Sequence, residues 1–198
     1  QKRESLYHFV SKKGFDMVGL GPKIIDRLLD EHLIGNAADL FDLQEGDLAP
    51  LERFAEKSSQ NLIAATQQAK RISLSRFLVA LGIRHVGEET ALSLADYFGD
   101  IEKIREATQE ELENIPDVGS VVARSIIEWF ASEENQKLLA RLFGAGIQIQ
   151  VPPKLSLGAP GLSLGGKTFV LTGSLKSLTR QEVKEKIRMA GGNVSESV

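Results

Sequence analysis

A short pattern recurs four times in this chain: apolar, two residues of any kind, apolar, then a residue with little or no side chain. The copies are Met17-Val-Gly-Leu-Gly21, Leu51-Glu-Arg-Phe-Ala55, Ile83-Arg-His-Val-Gly87 and Ile115-Pro-Asp-Val-Gly119. Their last positions, 21, 55, 87 and 119, are separated by 34, 32 and 32 residues. A period of that length marks a repeated supersecondary unit that stacks on its neighbours, because one unit alone cannot bury its apolar face. Helical apolar spacing follows each copy: Ile24, Ile25, Leu28 and Leu29; Leu62 and Ile63; Leu92, Leu94 and Ala95; Val121, Val122, Ile126 and Ile127. Shorter helical patterns precede the turns around Ala38–Leu43, Leu74–Leu81 and Gln109–Asn114. The unit reads as helix, tight turn, helix, and residues 1–150 as one mainly α domain.

A helix N-terminus leaves its first N–H groups without internal partners and carries partial positive charge, so it can hold a phosphate. Glycine at 21, 87 and 119 would remove the Cβ that blocks close approach, and would let the turn take dihedrals closed to other residues. Pro22 suits the first helical position, where no useful donor is lost. Such a device grips a phosphodiester backbone without reading base sequence. The second copy departs, with Ala55 in place of glycine; its hairpin is either structural only or relies on Lys57 and Ser58. In the third, Glu88 and Glu89 compete with an incoming phosphate, and Arg84 and the basic run before it would have to compensate. The bland alternative stays open: a lone glycine between helices is commonly a helix stop or a packing necessity, and a purely structural scaffold has the same period.

Charge pulls both ways. The chain has 27 acidic against 24 basic residues, a net of −3, which argues mildly against nucleic-acid binding. Yet no acidic residue occurs from Lys57 to Gly87, where Lys57, Lys70, Arg71, Arg76 and Arg84 lie. The absence of cysteine excludes disulfides and thiolate metal sites, and His8, His32 and His85 are too scattered to suggest a metal ligand set. Aromatic residues do not alternate with basic ones as a platform for stacking single-stranded bases requires. No apolar run approaches membrane-spanning length and no signal peptide opens the chain, so a soluble, cytoplasmic protein without membrane partners is expected.

Residues 151–162, rich in Pro and Gly, read as a linker, and 163–198 as a second, partial domain. Gly161-Leu-Ser-Leu-Gly-Gly-Lys-Thr168 satisfies the phosphate-loop pattern, but that loop needs a strand before it and a helix opening at its lysine. Here a linker precedes and the β-prone Thr168-Phe-Val-Leu-Thr172 follows, so the match is rejected. A turn at Thr172-Gly173-Ser174, a helix over Thr179–Met189 with a Thr179-Arg-Gln-Glu182 capping box, and a strand over Asn193–Val198 complete the reading.

The repeated unit resembles the helix-hairpin-helix motif of DNA-binding proteins, and four in tandem resemble the corresponding domain of bacterial NAD-dependent DNA ligases. Phe77-Leu-Val-Ala-Leu-Gly-Ile-Arg-His-Val-Gly-Glu-Glu-Thr-Ala91, Tyr97-Phe-Gly99, Ile115-Pro-Asp-Val-Gly119 and Phe169-Val-Leu-Thr-Gly-Ser-Leu175 carry the likeness. The implied fold is mainly α: four tandem helix-hairpin-helix repeats, then a truncated α/β strand-helix-strand unit like the start of a BRCT domain. The chain would then be a piece of a longer protein. By this resemblance Gly19, Gly21, Lys23, Gly87, Gly119 and Ser120 contact the phosphates of nicked double-stranded DNA, with Lys57, Arg84 and Arg124 in electrostatic support. Thr172 and Gly173 are weaker candidates for a phosphate turn, against the alternative of an ordinary turn. The parent enzymes use NAD, magnesium and structural zinc. No K-x-D-G adenylylation motif or cysteine occurs here, so no catalytic residue, cofactor or metal is assigned to this chain, and the remaining ligase domains are its expected partners in cis. Two rivals remain: a binding module of another helix-hairpin-helix repair protein, and a helical scaffold that binds only proteins.

Overall fold

The computed structural model describes residues 2–48 and 56–150, together with 164, 167–171, 183, 184, 186, 187, 190 and 192–195. Contacts divide the chain into two units, 1–152 and 153–198.

The first unit opens with α1 (Lys2–Val10), α2 (Pro22–Asp30), a 3₁₀ segment (Ala37–Phe41), α3 (Glu45–Leu48) and α4 (Glu56–Gln68). A strand β1 (Arg71–Ser73) leads into α5 (Leu74–Ala80), α6 (Glu88–Phe98), α7 (Ile101–Glu106), α8 (Gln109–Glu113), α9 (Ser120–Ala131) and α10 (Glu133–Gly144), and β2 (Gln148–Gln150) closes it. The helices that follow the first, third and fourth turns thus begin at Pro22, Glu88 and Ser120, one residue after the glycine.

Alpha5 is the centre of the core. Leu74, Phe77 and Leu78 are fully buried, and only Arg76 of this helix is exposed. Phe15 packs edge-on to both Phe77 and Phe41, with ring centroids 6.0 and 5.4 Å apart, and stacks on Phe9 at 4.4 Å. Each buried phenylalanine contributes about 2–3 kcal/mol by area, and each ring pair about 1 kcal/mol more. Gly14 is required here by space: a Cβ would stand 2.4 Å from the Phe9 carbonyl oxygen and 3.2 Å from the Ala80 Cβ.

The two strands of this unit were not legible in the sequence. Beta1 and β2 pair in parallel, with Arg71 opposite Gln148, Ile72 opposite Ile149 and Ser73 opposite Gln150. Everything from Leu74 to Ile147, which includes the third and fourth hairpins, leaves and rejoins this two-stranded sheet. The same junction caps α5, because the Ser73 hydroxyl accepts from the Arg76 N–H. Arg141 of α10 reaches back to the 3₁₀ segment, contacting Asp39 at 2.7 Å and Asp42 at 2.9 Å. Burial works to raise the Asp39 carboxyl, but donation from the Gly35 and Asn36 N–H groups and from Arg141 prevails and holds it below the usual aspartate range.

In the second unit β3 (Thr168–Val170) pairs in parallel with β4 (Asn193–Ser195), Phe169 opposite Val194. Val183, Lys184, Lys186 and Ile187 are helical. Gly192 lies against Phe169 and Ile187, 2.9 and 2.8 Å from where its Cβ would be. Thr168 opens a strand, where a phosphate loop would need a helix. The expected linker, the Thr172-Gly173 turn and the Thr179-Glu182 capping box lie outside the described residues.

Candidate nucleic-acid interface

Three turns share one backbone geometry. In each, the apolar residue before the glycine donates its N–H to the apolar residue three positions earlier: Leu20 to Met17, Val86 to Ile83, Val118 to Ile115, all at 3.1 Å. All six side chains are buried, which anchors each turn in the core from beneath. The residue two before the glycine is left-handed in every case: Gly19 with φ 93°, His85 with φ 66° and Asp117 with φ 65°. The glycine carbonyl then accepts the first α-helical bond, from Ile25, Ala91 or Ala123.

This corrects one expectation about the glycines. Gly21, Gly87 and Gly119 sit at φ −73°, −94° and −85° with extended ψ, a conformation open to any residue. The left-handed dihedral belongs to the residue two positions earlier, which His and Asp tolerate better than most. Packing does not require the glycines either, since a Cβ at 19, 21, 87 or 119 would meet nothing among the described residues within 4 Å. No side chain caps α2, α6 or α9. The three N-termini are therefore bare and exposed, with first-turn N–H groups that the helix itself cannot satisfy.

The sequence candidates fall around these turns. Lys23 is exposed in the first turn of α2, Arg84 is exposed in the third hairpin, Ser120 is the first residue of α9, and Arg124 is exposed one turn on. Lys57 and Ser58 are exposed near the start of α4, while Ala55 lies outside the described residues, as do Thr172 and Gly173. Glu88, the competing carboxylate, is engaged by Lys13 at 2.6 Å, and that hydrogen bond raises the lysine's pKa.

One grouping was not anticipated. Gly19 and Lys23 of the first hairpin and Ser58 of α4 line one open groove, together with Val18, Arg27, Asn61 and Gln68. Ser58, Asn61, Ala65 and Gln68 fall at i, i+3, i+7 and i+10, one face of α4, so the spacing was visible in sequence but its opposite wall was not. Behind that wall, α2 is held to α1 by Arg3, which reaches Asp26 at 2.5 Å and Asp30 at 2.6 Å, and by the Tyr7 hydroxyl donating to Asp26. These bonds, from Tyr7 first and then Arg3, keep the Asp26 carboxyl below its usual range.

Residues 76–139 match the family model described as "Helix-hairpin-helix motif". The chain carries a helix-hairpin-helix segment. That segment runs from α5 into α10 and so includes the third and fourth helix-hairpin-helix turns. Over 196 residues, 99% of its own length, the chain is 44% identical to a DNA ligase of Pelotomaculum thermopropionicum. It spans 29% of that relative. Among the described residues no helix is long and apolar enough to cross a membrane, and no three His, Asp or Glu side chains cluster as metal ligands.

Proposed function

We propose that this chain is the duplex-binding part of an NAD-dependent DNA ligase, gripping the backbone of nicked double-stranded DNA without reading its sequence. The observation that carries the reading is the set of bare glycine N-termini at α2, α6 and α9, whose lack of a side chain no packing among the described residues requires. A phosphate oxygen can approach their N–H groups where a Cβ would stand. Lys23, Arg84 and Arg124 add charge close to the turns, and Lys57 and Ser58 serve the second repeat. Holding the duplex near a nick supports joining by fixing the geometry of the two ends. The likeness to a DNA ligase over almost the whole chain supports the same reading.

NAD and magnesium chemistry belongs to other parts of the parent enzyme. A thiolate zinc site does not fit this chain, which has no cysteine. The isolated chain therefore binds but does not join DNA, and its setting is the bacterial cytoplasm, in cis with the remaining ligase domains. Residues 163–198 are read as the beginning of a BRCT-like domain, on the strength of the parallel β3–β4 pair with helical residues between.

The test is fluorescence anisotropy of the chain with a nicked duplex across a salt series. With about four to eight phosphates neutralised, log affinity falls against log salt with a slope near −4 to −7. A variant with Gly21→Ser, Gly87→Ser and Gly119→Ser folds as well as the parent, because serine is a favoured N-cap, but its hydroxyls occupy the N–H groups. Weakened binding by this variant supports the reading. Absence of salt-sensitive binding by the unaltered chain returns the repeats to a protein-binding scaffold.

A further inference from the structure

The second repeat lacks the glycine of the other three, and the groove between α2 and α4 offers it a different role. We propose that this groove seats the sugar-phosphate backbone of one DNA strand, so that the second repeat touches DNA through the flank of α4 and not through a helix N-terminus. The inference rests on the duplex-binding reading and adds a site to it.

Five observations bear on the groove's occupant. In a chain with more acidic than basic residues, none of the described residues lining the groove is acidic, and Lys23 and Arg27 stand on one wall. That complements a polyanion. The facing wall is uncharged and mixed: Ser58, Asn61 and Gln68 of α4 stand among Leu62, Ala64 and Ala65, and hydroxyl and amide side chains are ordinary partners of phosphate and sugar oxygens. Val18 at the mouth is 76% exposed, the largest exposure among the described bulky apolar residues. An apolar side chain there is costly in water and gains by packing on the carbon face of a deoxyribose. The groove's volume, about 840 Å³, is open to solvent and leaves room for a length of sugar-phosphate backbone. The groove also begins at the first hairpin's own turn, since Gly19 is part of its lining, so a strand whose phosphate meets the α2 N-terminus passes directly into it.

The test compares variants of the full chain on the same fluorescein-labelled nicked duplex. Ala64→Phe, at an exposed groove position on α4, fills the space without changing charge; it lowers affinity about tenfold, or 1.4 kcal/mol. Asn61→Ala with Gln68→Ala weakens binding several-fold with the salt slope unchanged, because neutral contacts release no counterions. Lys23→Gln makes the slope shallower by about 1. Circular dichroism confirms that each variant is folded. If Ala64→Phe and the Asn61/Gln68 pair bind like the parent while Gly87→Ser and Gly119→Ser bind weakly, the groove proposal is overturned and the duplex reading stands. If the unaltered chain does not bind, both fall together.

Discussion

Four helical segments of the first unit begin on a side chain that bonds back to the helix, and three begin on a glycine that does not. Asn36 caps the 3₁₀ segment, Ser73 caps α5, Asp100 caps α7 and Thr108 caps α8. At Asn36 and Thr108 the cap is reciprocal, with Asp39 and Glu111 reaching back to the cap N–H. Each such cap stabilises its helix by about 1 kcal/mol. Gly21, Gly87 and Gly119 forgo that, although their backbone is already extended and a Cβ there would meet open space. Four N-termini are thus closed by a side chain, whereas the three that share the hairpin geometry are left open on a glycine; α10, which begins on Ser132, makes no cap bond either but keeps a side chain that could. An open N-terminus is of use to a partner that supplies the missing acceptor.

The strongest way to break this comparison is through a glycine that packing does require. Gly14→Ala places a carbon 2.4 Å from the Phe9 carbonyl and loses about 1–3 kcal/mol in urea unfolding, whereas Gly21→Ala shifts the midpoint much less. If the two behave alike, the distinction between packed and open glycines fails. Next in size, Gly119→Ser weakens binding to a nicked duplex about tenfold, equal to 1.4 kcal/mol, while its thermal midpoint stays within a degree or two of the parent. Loss of folding in that variant would mean the turn needs its glycine for itself.

Thr108→Ala is the reverse case. It removes the α8 capping box, costs about 1 kcal/mol and lowers the melting temperature by about 2–4 °C, with DNA affinity unaltered. The smallest effect concerns pH. Asp39 is held below its usual range in the folded chain, so its contribution is complete above the unfolded aspartate value and is lost as pH falls through the folded one. The stability difference between the parent and Asp39→Asn is thus full at neutral pH and shrinks below about pH 4, measured by urea titration at several pH values.

The repeats were readable because each is made from local signals: two apolar anchors three residues apart in register with a small residue and a helical face. What the sequence misassigned was the reason for the glycine, since the left-handed dihedral sits at His85 and Asp117, residues that do not advertise it as glycine does. What it withheld was tertiary. Beta1 and β2 are three residues each and lie far apart along the chain, so neither has a pattern long enough to register. The α2–α4 groove has the same cause: one wall was visible as a stripe on α4, but nothing in the order of residues says which helix faces it.

The parallel β1–β2 pair also has a mechanical consequence. Tension arriving through the chain before Arg71 and leaving after Gln150 pulls the two strands in opposite directions along their length. The ladder bonds are then loaded together in shear, not opened one at a time. The helices from Leu74 to Ile147, with the third and fourth hairpins among them, hang outside the line of force. A pull on either side of that block stretches the clamp before it disturbs the hairpins.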